Sequence, residues 1–197
     1  MALNCEDKLS ADIQKNCDYK PIGGIEVNVV LINADDIDKT ASTLDSTNDL
    51  LITLLELKSG KTGYKIEGIK QAQGGMFELV KKENSFDAYK HTFQGVILTP
   101  SVDNKKALDE IADGGRYVAV IEKKWKGEDQ KDAFEVLGWD SGMVIAESTW
   151  NTKENDGVIL FSIASEDGYE EPKMTRNILE NDYDTTKTAF ENAFASS

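Results

Sequence analysis

GRYVAVIEKKWKGEDQKDAFEVLGWDSGMVI, residues 115–145, decides the fold. RYVAVIEKKW (116–125) and AFEVLGW (133–139) are rich in β-branched and aromatic residues and flank a polar loop, KGEDQKD, so both read as strands. MVIAES (143–148) reads as a third. Between the last two lies GWDSG, 138–142, which is either an activated serine or a turn. A nucleophile elbow places serine at the centre of G-x-S-x-G, between a strand and a helix. Ser141 sits one place late, and a strand follows it. A serine nucleophile also needs a base, and His91 is the sole histidine, placed in another strand. The turn reading is preferred: Asp140 bonds local backbone, Gly142 supplies a positive φ, and Trp139 packs at the strand end.

Working outward, IEVNVVLIN (25–33) and VILFSIAS (158–165) are further strands. So are LLITLLEL (50–57) and YKIEGIK (64–70), joined by KSGKTG as a hairpin connection. MFELVKK (76–82) and DAYKHTFQGVIL (87–98) complete the set, with a bulge expected near Gly95 where the alternation slips. SVDNKKALDEIADGG is the clear helix, about 101–114. Ser101 caps it, Ala107, Leu108, Ile111 and Ala112 form its apolar face, and Gly114 stops it. About nine strands and one main helix predict a mainly β protein, an antiparallel β-sandwich or barrel with one flanking α-helix over 25–165. Residues 1–24 show no clear apolar period before Pro21 and read as an N-terminal arm. Residues 166–197 read as an extended C-terminal arm, with a short helix from Asp184 to Phe194.

Charge and composition narrow the function. The 197 residues hold 36 acidic and 22 basic side chains, a formal net charge of -14. Nucleic-acid binding through phosphate neutralisation wants the opposite sign. No apolar run reaches the ~20 residues that span a bilayer, and MALNCEDKLSADIQ lacks the basic and apolar regions of a signal peptide. The chain is therefore expected to stay in the cytoplasm that makes it, or to leave inside a larger object. Cys5 and Cys17 can pair or stay reduced, and reduced thiols fit a cytoplasmic product better. Asp35, Asp36 and Asp38 lack the glycine and glutamate spacing of a calcium loop, and GKTG (60–63) lacks the spacing of a phosphate loop. Glu166, Asp167, Glu170 and Glu171 read as a solvated acidic face, and Trp125, Trp139 and Trp150 as packing residues. No catalytic residue, cofactor site or metal site is predicted, and the chain is read as not an enzyme.

What remains is shape. Ordering a lone polar arm is costly, so arms make sense when they dock on neighbours. Tyr169, Tyr183, Phe190 and Phe194 are the candidate assembly contacts of the C-terminal arm. The stretch quoted above, with NCDYKPIGGIEVNVVLINADDID (16–38), resembles virion structural proteins of tailed bacteriophages, those of Bacteroidales phages including crAss-like phages. The resemblance covers about residues 14–165. It implies a tail-tube-like β-sandwich, a homo-oligomeric ring of six or twelve in a tail, neck or head-tail connector, and other virion proteins as partners. It also implies a virion location, and DNA as a cargo that does not adhere. Two other classes stay open: a monomeric carbohydrate- or peptide-binding β-sandwich, and a small hydrolase using paired carboxylates.

Overall fold

The computed structural model describes residue 9, residues 11–69 and residues 72–196. Among these, eleven strands form two sheets packed face to face and two α-helices accompany them, a β-sandwich with a flanking helix. The larger sheet has the order β2 (Thr43–Leu44), β3 (Leu51–Leu54), β11 (Arg176–Ile178), β8 (Phe134–Leu137), β7 (Tyr117–Lys123), β1 (Ile25–Asn33), β4 (Tyr64–Glu67). The smaller has the order β5 (Gly74–Val80), β6 (Ala88–Ile97), β10 (Ile159–Ala164), β9 (Val144–Trp150). All pairings are antiparallel except β3 with β11.

The central strands are apolar on both sides because both sides are covered. Val30 and Ile32 of β1, with Val118 and Val120 of β7, face one core. Val29 and Leu31, with Ala119 and Ile121, face the other, where the smaller sheet packs through Phe93, Ile159, Phe161 and Ile163. A strand buried on two faces loses the in-out alternation and reads as a continuous apolar run. The first core is closed by the C-terminal helix α2 (Tyr183–Glu191). The helix α1 (Val102–Ala112) flanks the second. Ser101 caps it by accepting from the Asn104 N–H (3.2 Å) and Leu108 is buried, but Ala107 and Ala112 stay exposed, so its apolar face is narrower than expected.

Three expectations need correction. Residues 166–197 are not an extended arm. β11 lies inside the larger sheet between β3 and β8, and α2 packs on that sheet. The physical reason is the first core, which without α2 would leave Val30, Val120 and Phe134 uncovered on one side. Strands β3 and β4 do not form a hairpin. They sit toward opposite edges of the larger sheet, and the connection crosses its face, burying Leu55 and Leu57. Nor is there a bulge at Gly95: β10 pairs with β6 in unbroken register from Ile159↔Ile97 to Ala164↔Thr92. Gly95 is instead a close approach. A Cβ there would stand 2.4 Å from Cζ of Phe161 and 3.0 Å from Cε1 of Phe93. Gly95→Ala is expected to cost about 1–3 kcal/mol by overpacking. An unchanged urea midpoint would refute that packing.

Residues 11–24 form no strand or helix, and their side chains are exposed. Two bonds mark where the segment meets the fold: Trp125 Nε1–H donates to the Tyr19 carbonyl (3.2 Å), and the Lys124 N–H donates to the Gly24 carbonyl (3.0 Å). Cys17 is exposed, and Cys5 lies outside the described residues, as does any pairing between them.

Candidate functional site

The turn 138–142 carries the chain from β8 in one sheet to β9 in the other. Gly138 and Gly142 take φ of +77° and +74°, and the Gly142 N–H returns to the Gly138 carbonyl (3.0 Å). Around it lies a buried polar cluster. His91 on β6 is 1% exposed. Its Nδ1 accepts from the Gly138 N–H (3.0 Å), and its Nε2–H donates to the Lys173 carbonyl (3.1 Å), which assigns the tautomer. Glu171 is 0% exposed, and its two carboxylate oxygens accept from the Asp140 and Ser141 N–H groups, each at 2.8 Å. The Asp140 carboxylate does not cap its own turn. It accepts from Arg176 (2.5 Å), whose Nε–H donates to the Asp49 carbonyl (2.9 Å). Lys39 lies over the Trp139 ring, 3.2 Å from its centroid, and donates to the Trp139 carbonyl.

This geometry answers whether Ser141 is activated. Both nitrogens of His91 are engaged by backbone, and the Ser141 hydroxyl donates to the Glu170 carbonyl (3.3 Å). Among the described residues no base is aimed at the serine, and the cluster staples β6 and the segment after β10 to the turn. Burial sets its ionisation. It holds His91 down to about 4, so the ring is neutral at pH 7. It lowers Lys39 to about 8 and pushes Glu171 up, against the two N–H bonds that favour its charged form.

A second buried carboxylate, Glu122 on β7, receives Lys126 and Lys187 (2.5 Å each) and the Tyr183 hydroxyl (2.7 Å). Burial alone would raise this carboxyl. The three donors outweigh burial and hold it below the ordinary range. The group ties α2 to the larger sheet.

The four candidate assembly contacts separate. Phe190 and Phe194 are buried in the first core at 2% and 5% exposure, and Tyr183 stacks on Phe134 with centroids 5.7 Å apart. These three serve the chain's own core, which corrects their reading as contacts offered to a neighbour. Tyr169 alone is exposed, with the Arg116 guanidinium 4.6 Å from its ring centroid. The acidic clusters are likewise occupied. Asp36 pairs with Lys61 (3.0 Å), Asp38 accepts from the Thr40 and Ala41 N–H groups, Glu166 pairs with Arg116 (2.6 Å) and Glu170 with Lys82 (2.7 Å). Among the described residues no three metal-ligating side chains converge.

Two surface features remain. A cleft of about 340 Å³ separates α1 from β4 and is lined by Lys65, Glu67, Leu98, Asn104, Leu108 and Phe161. None of the three tryptophans lines it. The other feature is the open edge of β5. Its seven residues pair in unbroken register with β6 on one side and, among the described residues, with no strand on the other. Met76, Phe77 and Leu79 are 42%, 42% and 49% exposed. Sequence reading recognised a strand here. It did not identify an edge, because edge status depends on which strands fill the neighbouring places. Compared with known proteins, the chain matches no family model, no curated protein and no solved structure.

Proposed function

We propose that the chain is a non-enzymatic structural subunit that joins copies of itself through the β5 edge, as a ring or tube in the tail or neck of a tailed-phage virion. The observation that carries self-association is β5. Long, flat, apolar edges are what monomeric proteins shorten, charge or cover, because open N–H and C=O groups recruit further strands. The other outer strands are blunted: β2 has two residues, β4 has four, and β9 has a register shift and α1 beside it. The virion assignment rests on the sequence resemblance together with the acidity. A net charge of -14 suits a wall past which DNA slides, since carboxylates repel phosphates where lysines would grip them. A monomeric carbohydrate-binding module is favoured less, because the α1–β4 cleft offers no tryptophan for a sugar ring to stack on.

Light scattering with negative-stain images tests the reading. Closed rings or tubes, of six or twelve copies, are expected. Phe77→Lys with Leu79→Lys, both at half-exposed positions, is expected to weaken association about 10- to 100-fold without unfolding the subunit. A wild-type chain that stays monomeric at high concentration would sink the proposal.

A further inference from the structure

The N-terminal segment has a pattern that its disposition leaves unused. From Leu9 to Lys20 every even position is polar: Ser10, Asp12, Gln14, Asn16, Asp18, Lys20. The odd positions are Leu9, Ala11, Ile13, Cys17 and Tyr19, broken only by Lys15. Period-two alternation is the signature of a strand with one covered face. Yet Leu9 is 82% and Ile13 92% exposed, and residues 11–18 pair with no strand. A strand-forming sequence without a sheet stands on the same chain as a sheet edge without a strand.

We propose that residues 9–20 of one copy add as a strand to the β5 edge of a second copy. The inference rests on the self-assembly reading above and names its joint. Complementarity supports it on three counts. Length agrees: β5 has seven residues, about 24 Å of strand, and the segment has twelve. Sidedness agrees: Gly75, Phe77 and Leu79 share the face of β5 that looks toward the larger sheet, level with Phe93, His91 and Tyr89. An added strand would turn Leu9, Ala11 and Ile13 to that face and its polar side to solvent. Space agrees: a cleft of about 290 Å³ opens beneath the edge, lined by Gly75, Phe77, Ile121, Leu137, Glu135 and Thr175. It has room for an isoleucine or leucine side chain. The occupant is a second copy because, among the described residues, the bonds that tie the segment to its own fold are those at Tyr19 and Gly24, and residues 11–18 stay exposed.

Cysteine cross-linking of the full chain tests this in a Cys5→Ser, Cys17→Ser background. One chain carries Ile13→Cys; a second, tagged to differ in mass, carries Phe77→Cys or Leu79→Cys. On mild oxidation of the mixture the mixed disulfide dimer is expected as the main covalent product. Ile13→Asp should weaken assembly at least 10-fold, and Ile13→Val should restore it. If light scattering shows oligomers but no mixed dimer forms with either partner, the strand proposal is overturned and self-assembly stands. If the sample is monomeric and no mixed dimer forms, both readings fall. A chain carrying both cysteines that closes on itself at every dilution overturns exchange between copies.

Discussion

Acidification from pH 7 to pH 4 is expected to remove about 3 kcal/mol of stability through His91 alone. The unfolded imidazole titrates near 6.5, and the folded one is held down to about 4 by burial. At about 1.4 kcal/mol per tenfold change in proton affinity, that gap corresponds to about 3 kcal/mol. The sign follows from which state takes the proton. Above pH 6.5 the ring is neutral in both states and the contribution is fully present. As the pH falls toward 4 the unfolded chain protonates first, and the folded state loses ground. Structurally, a proton on Nδ1 removes the acceptor for the Gly138 N–H. The neighbours divide. Arg176 opposes the proton, whereas the Lys173 carbonyl, Asp140 and Glu135 favour it, and burial outweighs them. Glu171 runs the other way. Its folded carboxyl is raised, so its contribution is lost as pH rises through the folded value and regained in acid. Urea unfolding between pH 7 and pH 4 separates the two. His91→Gln should unfold more easily at pH 7 but lose most of the slope between 6.5 and 4, and Glu171→Gln should keep that slope. Equal slopes for His91→Gln and the wild type would refute the assignment.

The same cluster shows how far the sequence could be read. GWDSG was legible as a turn because a strand, not a helix, follows Ser141. Its supports were not legible: Glu171 and Arg176 lie thirty or more residues away, among what looks like an acidic surface run. Spacing along a chain carries no record of a contact between β6, β8 and the segment after β10. The strands of the sandwich were visible from β-branched content, and α1 from its cap and its period. β11 was hidden because three residues, Arg176 to Ile178, are too few to show alternation. The N-terminal segment read as an arm, and its described residues 11–24 form neither strand nor helix; its alternation is weak because Lys15 interrupts the apolar positions.

Phe190→Ala is expected to cost about 3–5 kcal/mol. It also decides what the last thirty residues are. Asp182 caps α2 by accepting from the Thr185 N–H (2.8 Å). From there Tyr183, Thr186 and Phe190 fall on one side at helical spacing, and Phe194, past the helix end, turns back into the same core. That side meets the larger sheet, where the Phe190 ring lies 5.2 Å from Phe134 and 6.4 Å from Phe194. Truncation empties this position, and no neighbouring large side chain can refill it without leaving its own contacts. In a chain of this size a loss of that order lowers the melting temperature by about 10 °C or more. Tyr169→Ala, at a site 59% exposed, should cost under about 1 kcal/mol. The contrast separates a core helix from an exchanged arm. Were residues 166–197 docked on a neighbour, Phe190→Ala would reduce assembly and spare the fold of the isolated subunit. Because they close the subunit's own core, Phe190→Ala must lower its melting temperature at dilutions where no oligomer persists. A melting temperature that falls only where oligomers form would put α2 back on the neighbour.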